Sequence, residues 1–365
     1  MGYDLIVPTH NPAPEFLKMI EVMSKQTVAP EKIIITNTEQ KYFDRLIFAT
    51  TFTTEHKNLD IRHISKREFD HGRTRNEAVT RSNAEYFLMM TQDAMPCDEK
   101  LAERLLNVFK KDKSVAVAYA RQIARDDSCE AEKYTRSFNY PKESAVHSLE
   151  DIETIGIKAF FCSNVCAMYR RDVFDELGGF LNHTIFNEDM FYAAKAIHEG
   201  YKVAYVAEAS VIHSHNYTCK EQYKRYFDNG VSHAKHPEVF EGISVNSEGM
   251  KLVRKTAAHL VGTGRTFQAI PFYIQSACKY LGFRKGLHYK HLSKRAILHC
   301  TSNPEYWIND ELKRDRASID ARTGYGRSEA ELKMIANKIE PRKEVQEQND
   351  NDVVIVEVVD KPESK

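Results

Sequence analysis

The feature that most limits how this chain can fold is a regular alternation, near its beginning, of short apolar segments with segments of helical spacing. Residues 3–8 predict a strand, residues 15–25 predict a helix, and residues 32–36 predict a second buried strand. A strand, a helix and a further strand in this order form a parallel crossover unit. The beginning of the chain therefore predicts an α/β fold.

The same alternation continues further along the chain. Strands are expected at 60–64, 87–90 and 115–119, and helices at 74–83, 99–111, 171–177 and 189–199. These elements predict a three-layer α/β/α sandwich with a mainly parallel central sheet. The polar segment at 120–148 lacks clean periodicity and is interpreted as an ordered loop or lid with short helices. From residue 219 onward we expect mostly helix.

Length and composition suggest three regions. A chain of 365 residues is long enough for one large domain with an appendage. We assign residues 1–230 to the α/β domain, 231–340 to a helical, basic C-terminal region, and 341–365 to a charged tail. The tail carries Asn and Gln beside its charges and is expected to be disordered.

Cysteine spacing and hydropathy limit the cellular setting. The seven cysteines form no CxxC pair, which indicates neither a zinc ribbon nor a disulfide framework. The sequence has no apolar stretch near the roughly 20 residues of a membrane span, and its first residues lack the pattern of a signal peptide. We expect a cytoplasmic, reduced protein that is neither exported nor integral to a membrane.

Charge is unevenly distributed, although the formal net charge is zero. Residues 249–304 contain ten Lys or Arg and no Asp or Glu, and residues 266–278 within them are uncharged and partly aromatic. One interpretation is an ordinary solvated helical face. The other is contact with anionic lipid headgroups or a lipid pyrophosphate at the surface of a membrane. A homodimer interface is a third use of these helices, whereas no recognition motif indicates nucleic acid.

Asp93 is the first candidate site residue. It follows the apolar strand at 87–90, at the carboxyl end where open α/β sheets bind their ligands. A Mg²⁺ or Mn²⁺ ion that bridges two phosphates needs only one or two protein carboxylates. His213 and His215 follow another apolar segment and are candidate further ligands, a choice that suits Mn²⁺ better than Ca²⁺. The alternative for each histidine is a buried hydrogen-bonding role.

Polar residues also follow the first two strands. Pro8, Thr9 and Asn11 end the first strand, and Asn37 and Glu39 end the second. Because the ends of parallel strands open on one edge of the sheet, these side chains can contact a nucleotide base and ribose. Proline, asparagine and threonine also simply make turns and helix caps.

Two further motifs carry charge beside expected helices. Arg73 and Arg75 lie in the run HGRTRN, where a glycine permits close backbone approach and a helix N-terminus favours phosphate oxygens. Glu188 and Asp189 begin another helix, where acids favourable to the helix dipole are one interpretation. The functional interpretation makes Asp189 a general base that Glu188 helps to orient.

In their order, these motifs resemble the family 2 inverting glycosyltransferases of GT-A fold. The likeness covers about residues 3–230 and rests on VPTHN, ITNT, HGRTRN, LMMTQDAMP, FCSNVCAMYRRDVFDELGGF, NED and VIHSHNY. Within that family the sequence looks most like bacterial polysaccharide rhamnosyltransferases. It departs from the family's usual Asp-x-Asp, because Thr91 stands where the first Asp is expected.

The resemblance implies a role for each candidate residue. It places Pro8, Thr9, Asn11, Asn37, Glu39, Arg75 and Gln92 around the nucleotide, Asp93 on the metal, and Asp189 as base. The run QYKRY at 222–226 is similar to the QxxRW element of processive synthases in the same family. Arg225 would then meet the diphosphate and Tyr226 the acceptor sugar, with Arg73 and Asn164 as further diphosphate or acceptor contacts.

The activity that the resemblance implies is single displacement on a nucleotide sugar, dTDP-β-L-rhamnose or a UDP-hexose, with a divalent cation. The implied acceptor is a polyprenyl-linked saccharide at the inner face of the membrane, where the basic region would dock peripherally. Two rivals are a nucleotidyltransferase, which should have a Gly-rich basic loop after the first strand, and a non-catalytic sugar- or nucleotide-binding subunit. Residues 8–14 contain no such loop, and both Asp93 and Asp189 are present.

Overall fold

The structure is a computed structural model that describes residues 2–240 and 246–308. The expected tail at 341–365 and the end of the basic region lie outside the described residues. Contacts group Met1–Asn309 into one compact unit. A single helix, Cys219–Lys235, spans the boundary expected at residue 230.

Nine strands form one sheet in the described part of the chain. In chain order they are β1 (Tyr3–His10), β2 (Ile33–Thr38), β3 (Leu59–Ile64), β4 (Tyr86–Met90), β5 (Met95–Pro96), β6 (Val115–Ile123), β7 (Ala145–His147), β8 (Cys166–Arg170) and β9 (Lys202–Ile212). Their spatial order is β3-β2-β1-β4-β8-β6-β9-β5, with β7 paired to β9.

The sheet is mixed rather than mainly parallel. Strands β1, β2, β3 and β4 run parallel to one another, as the alternation of strands and helices predicts. Strand β8 enters between β4 and β6 and is antiparallel to both. The parallel β6–β9 pair then continues the sheet, so the carboxyl ends of β4 and β9 lie on the same edge.

Helices cover both faces of the sheet. In chain order they are α1 (Glu15–Ser24), α2 (Gln40–Ile47), α3 (Phe52–Glu55), α4 (His71–Val79), α5 (Leu101–Lys111), α6 (Glu130–Asn139), α7 (Ile152–Ile155), α8 (Arg171–Glu176), α9 (Glu188–His198), α10 (Cys219–Lys235), α11 (Asn246–Gly262), α12 (Thr266–Leu287) and α13 (Lys294–Cys300). The expected helices in the first 200 residues are all present, with ends shifted by up to four residues.

Two hydrophobic clusters show why the fold has three layers. Leu5 and Ile33 point to one face of the sheet, where they pack with residues of α1 and α5. Ile6 and Ile34 point to the other face, where residues of α9 complete the cluster. Since successive side chains of a strand point to opposite faces, strands that are apolar throughout must be covered on both sides. The three-layer α/β/α prediction is confirmed.

The polar segment at 120–148 is more regular than expected. Strand β6 continues to Ile123, α6 follows, and β7 adds a short strand to the sheet. Only Ala131 of α6 is a buried apolar residue, so this helix buries little apolar surface of its own. Its position depends instead on packing between Ala131 and Leu260, Ala269 and Phe272 of α11 and α12.

The C-terminal helices pack closely on the α/β domain. Gly230 of α10 faces the backbone of α12, and Gly282 and Gly286 of α12 face the backbone of α10. The first half of α12 carries apolar side chains that are open to solvent: Phe267 is 89% exposed, Ile270 63% and Ile274 53%. Among the described residues, no helix combines the length and the hydropathy needed to cross a bilayer.

Candidate active site

A cavity of about 460 Å³ opens at the carboxyl edge of the sheet. It is enclosed by residues that follow β4, β6 and β9 together with side chains from α4, α6, α9, α10 and α12. The lining residues that carry charge or strong hydrogen-bonding groups include His71, Arg75, Asp93, Gln122, Glu132, Arg136, Asn164, Glu188, Asp189, His213, His215, Arg225 and Lys279.

Asp93 meets both candidate histidines at one side of this cavity. The Nε2 atom of His213 lies 3.6 Å from Asp93 Oδ1, and the Nε2 atom of His215 lies 3.4 Å from Asp93 Oδ2. One ligand atom from each residue falls within 4.8 Å of the others. The antiparallel β5–β9 pair explains the juxtaposition, because it sets Met95, two residues after Asp93, opposite Ile212, the residue before His213.

The protonation of this cluster suits a divalent cation. Burial lowers the pKa of His213 to about 3, against the opposing effect of Asp93, and burial also lowers the pKa of His215. Both rings are therefore neutral at pH 7. One carboxylate and two neutral imidazoles form a donor set typical of Mn²⁺ and other divalent transition metals. The residues present fit such an ion, with further positions left for ligand oxygens or water.

A pair of carboxyl groups stands on another wall of the cavity, in the first turn of α9: Glu188 is buried and Asp189 is half-buried. Asp189 Oδ2 accepts a hydrogen bond of 2.9 Å from the backbone N–H of Asn164, and Oδ1 accepts one of 2.8 Å from the N–H of Met190. Burial, and next the charge of Glu188, raise the pKa of Asp189 to about 7. A carboxyl group with this pKa can take up a proton near neutral pH.

Glu188 has the opposite electrostatic setting. Burial by itself would raise its pKa, but the nearby charges of Arg75 and His71 and a hydrogen bond from Asn164 outweigh burial and lower it. Arg75 Nε lies 3.2 Å from Glu188 Oε1, and Asn164 Nδ2 donates to the same oxygen at 3.0 Å. Glu188 is therefore ionised at pH 7, beside an aspartate whose pKa is raised.

Asn164 connects the two carboxyl groups. Its backbone N–H binds Asp189 and its side-chain amide binds Glu188, while its Oδ1 accepts a 2.7 Å hydrogen bond from the hydroxyl of Tyr169. In the structure, the polar groups of Asn164 are thus used to hold the acidic pair. The sequence places it among the acceptor contacts, and its position in the cavity wall is compatible with both uses.

Apart from Arg75, the residues expected around the nucleotide lie outside the lining of the cavity, and most of them gather at the ends of β1 and β2. Thr9 Oγ1 donates to Asn37 Oδ1 at 3.0 Å, and both side chains are buried. Pro8 lies directly behind Thr9 on β1. Glu39 follows β2, and its carboxylate accepts a 2.8 Å hydrogen bond from the backbone N–H of Lys66.

Asn11 and Gln92 extend this group toward β4. Asn11 Oδ1 accepts a hydrogen bond of 2.9 Å from Arg45 Nη2. The side-chain amide of Gln92 pairs with the backbone of His10, accepting from its N–H at 2.9 Å and donating to its carbonyl at 3.1 Å. Gln92, the residue before Asp93, is therefore bound to the end of β1.

The four remaining candidates divide between the cavity and the outer surface. Arg75 is buried, lines the cavity, and donates to the carbonyl of His71 at 2.8 Å. Arg73 is not among the lining residues: its guanidinium donates to the carbonyl of Glu68 and lies 3.8 Å from Glu77. Arg225 and Tyr226 both line the cavity, from helix α10.

Sequence reasoning missed Gln122 and Arg136. Gln122 is buried near the end of β6 and faces His213, while Arg136 reaches it from α6. The available sequence signal was the spacing of Glu132 and Arg136, four residues apart, which form a 2.9 Å ion pair on α6. No local pattern indicated that Gln122 has partners from 14 to 91 residues away.

Comparisons with known proteins define the class. The family model described as glycosyl transferase family 2 matches residues 4–178. The O-antigen chain rhamnosyltransferase RfbN of Salmonella typhimurium is 37% identical over 316 residues, which cover 85% of this chain and 97% of RfbN. The O-antigen chain rhamnosyltransferase WbaN of Salmonella anatum is 38% identical over 316 residues, covering 84% and 96%. The chain belongs to glycosyl transferase family 2 and is a glycosyltransferase.

A solved structure supports the fold. The mannosyltransferase PcManGT from Pyrobaculum calidifontis, in complex with GDP-Man and Mn²⁺, matches with a TM-score of 0.54. The match covers 79% of this chain and 88% of that one, at 14% identity. The GT-A-like fold expected from the sequence is therefore confirmed.

Proposed function

We propose that this chain is an inverting rhamnosyltransferase that transfers L-rhamnose from dTDP-β-L-rhamnose to a lipid-linked saccharide in cell-surface polysaccharide synthesis. The identity to two O-antigen rhamnosyltransferases over nearly their whole length supports the sugar and the pathway class. The observation that carries the chemistry is Asp189, which two backbone N–H groups hold in the wall of the same cavity as Asp93 and whose pKa is raised to about 7.

In the proposed reaction Asp189 is the general base. Its carboxylate takes the proton from an acceptor hydroxyl, whose oxygen forms a bond to the anomeric carbon while the bond from that carbon to the diphosphate breaks. The diphosphate leaves with the bonding electrons from the opposite face, so the configuration inverts. Asn164 holds the aspartate through its backbone N–H, the charge of Glu188 helps to raise the pKa of the aspartate, and Arg225 and Tyr226 flank the space for diphosphate and acceptor.

Asp93, His213 and His215 are proposed to hold a Mg²⁺ or Mn²⁺ ion. When bound, the ion would offset the negative charge of the donor diphosphate. Three side chains supply this site, which compensates for Thr91 at the position of the first acid in the family's usual motif. The residues proposed to contact the nucleoside lie at the ends of β1 and β2 and include Thr9, Asn11, Asn37 and Glu39.

Asp189→Asn tests the assignment directly. The substitution keeps an oxygen acceptor for the backbone N–H groups but removes the base, and loss of general base catalysis typically costs about 10²–10⁴-fold in rate. We expect nucleoside diphosphate release from dTDP-rhamnose and acceptor to fall by that order with the thermal midpoint retained. Asp175→Asn, an exposed acid paired with Arg171 on α8, is the matched control.

The same assay distinguishes the donor. Turnover with UDP-hexoses and none with dTDP-rhamnose would contradict the proposed sugar while leaving the base intact. Equal release by Asp189→Asn and the unsubstituted protein would contradict the role of the base.

We also propose that the protein acts peripherally at the cytoplasmic face of the membrane. The exposed side chains of α12 form an apolar surface, and exposed cations such as Arg254, Lys255 and Arg284 lie on the same two helices, α11 and α12. Lys279 of α12 lines the cavity. Docking through this surface would therefore place the cavity close to a polyprenyl-linked acceptor.

A further inference from the structure

The side chain of Gln122 lies between the two halves of the candidate active site. It is 3% exposed and has four side-chain partners. Its Nε2 donates to the hydroxyl of Tyr140 at 2.5 Å and to Ser163 Oγ at 2.9 Å. Its Oε1 lies 2.9 Å from His213 Nδ1 and also accepts from Arg136 Nη1. The amide is thus saturated with contacts that belong to different elements.

Arg136 determines the orientation of this amide, that is, which of its two terminal atoms is the oxygen. A guanidinium has only donors, so the atom of Gln122 that faces Arg136 must be the oxygen. His213 Nδ1 faces the same oxygen and must therefore carry its hydrogen. In the neutral ring this leaves the lone pair on Nε2, which is the atom 3.6 Å from Asp93 Oδ1.

The resulting arrangement puts two electron-pair donors opposite each other. Nε2 of His213 and the Asp93 carboxylate have no hydrogen between them when the ring is the Nδ1–H tautomer, and a cation between them satisfies both. Metal-bound histidines commonly donate their second ring N–H to an oxygen acceptor, which orients the ring and strengthens the ligand. Gln122 Oε1 supplies that acceptor here.

The other end of the Gln122 amide contacts the segment that holds the proposed base. Ser163, which it binds, directly precedes Asn164, and Asn164 holds Asp189 and Glu188. Gln122 on β6 thus contacts both a candidate metal ligand and the segment that holds the acidic pair through hydrogen bonds.

We propose that Gln122 is a positioning residue that fixes the tautomer and orientation of His213 for a divalent cation at Asp93, His213 and His215. The inference rests on the proposed metal role of those three residues. The class of ligand is a divalent cation that accepts imidazole nitrogen, Mn²⁺ before Mg²⁺.

Three substitutions separate this role from simple packing. Gln122→Met keeps a similar volume and removes the oxygen, so we expect Mn²⁺ affinity to fall by about 10–100-fold, the usual effect of losing such a partner. Gln122→Glu keeps an oxygen that accepts from both His213 and Arg136, so its Mn²⁺ affinity should equal or exceed that of the unsubstituted protein. Tyr140→Phe removes only a partner of the amide nitrogen and should leave Mn²⁺ affinity close to the original.

The measurements are Mn²⁺ titration followed by electron paramagnetic resonance, with no donor present, and nitrogen-15 NMR of the histidine rings in metal-free protein. We expect His213 to be the Nδ1–H tautomer in the unsubstituted protein and in Gln122→Glu, and to lose that preference in Gln122→Met. Equal loss of affinity in Gln122→Glu and Gln122→Met would show a packing role and overturn the proposal. An Nε2–H tautomer in the unsubstituted protein would also overturn it.

The two proposals fail in different ways. If Asp93→Ala binds Mn²⁺ as tightly as the unsubstituted protein, the metal site itself is wrong. If Asp93→Ala loses Mn²⁺ while Gln122→Met retains it, the metal site stands and the positioning role of Gln122 is wrong.

Discussion

At the scale of single residues, the proposed chemistry depends on two adjacent acids with opposite electrostatic settings. Glu188 is held ionised by Arg75 and Asn164, whereas burial and the charge of Glu188 keep the pKa of Asp189 near neutrality. Titratable neighbours whose environments push their pKa values apart are typical of acid–base sites. The division of roles thus comes from their partners, because the two side chains are chemically alike.

The pH dependence of the reaction follows from this pair. A base acts only when deprotonated, so kcat/KM should rise about tenfold per pH unit below the pKa of Asp189 and level off above about 7. Glu188→Gln removes a neighbouring negative charge and leaves Arg75 unneutralised. Both changes favour the ionised form of Asp189, so the rising part of the profile should move to lower pH.

The profile should be measured with substrate below KM, and only its position along the pH axis matters, since Glu188→Gln can also reduce the rate. Asp175→Asn should share the profile of the unsubstituted protein. A midpoint that stays near 7 or rises in Glu188→Gln would show that Glu188 does not control the protonation of Asp189.

How much of the site the sequence predicts depends on where each signal lies in the chain. Asp93, His213 and His215 were predicted because each follows an apolar strand, and the structure brings them together. Gln122 was not predicted, because its meaning comes from contacts with β9, α6 and the segment before β8. Such contacts leave no periodic trace in the sequence.

At the scale of elements, the sequence predicts what is periodic and misses what tertiary contacts stabilise. The strands β1 to β4 and the helices α1 and α4 were predicted from their apolar residues, and their positions are confirmed, whereas α2 and α3 were not predicted. Helix α4 begins at His71 rather than Thr74 because the Asp70 side chain accepts from the N–H of Arg73 and caps it. That earlier start makes Arg73 and Arg75 helical residues on different faces.

The direction of strand β8 was not predicted from the sequence. Alternating strands and helices predict parallel neighbours, and nothing in the apolar run of β8 states its direction. Its insertion between β4 and β6 changes the sheet from mainly parallel to mixed.

The crossing of α10 and α12 gives a testable prediction on stability. A Cβ atom at Gly286 would stand 2.1 Å from the backbone oxygen of Phe227, which cannot move aside without shifting α10. Gly286→Ala should therefore separate the helices and destabilise the protein by about 1–3 kcal/mol, as overpacking does. The free energy of unfolding, from urea titration, measures the change.

Gly249→Ala is the matched control, because Gly249 lies in α11 with open space around its Cβ position. Alanine there should stabilise the helix by about 0.5–1 kcal/mol relative to glycine. Similar effects at both positions would mean that the close crossing of α10 and α12 does not limit stability.

At the scale of the whole molecule, helix α12 has residues in three different environments. Its glycines contact α10, Lys279 reaches the cavity, and its apolar residues face solvent. The hydropathy of α12 is too low for it to cross a bilayer. Exposed apolar side chains on such a helix suit the interface of a membrane. In the proposed membrane role, the cations of residues 249–304 would add attraction to anionic lipid.

The membrane proposal predicts a loss of lipid binding when the apolar surface of α12 is made polar. Phe267 and Ile274 are 89% and 53% exposed, so Phe267→Ser with Ile274→Ser should disturb the fold little. Each apolar side chain that enters the interface contributes up to about 1.5–3 kcal/mol. The free energy contributed by two such side chains corresponds to more than a tenfold change in affinity. In sedimentation, the double variant should therefore bind vesicles of phosphatidylcholine and anionic phosphatidylglycerol more than tenfold more weakly.

Phe48→Ser is the matched control, because Phe48 is 82% exposed but lies between α2 and α3. It should leave vesicle binding unchanged, and added salt should weaken binding of the unsubstituted protein by screening its cations. Binding that ignores both lipid charge and salt would contradict the membrane role. Self-association without lipid, abolished by Phe267→Ser, would assign this surface to a second copy of the chain, since dimer contacts and membrane contacts compete for the same exposed side chains.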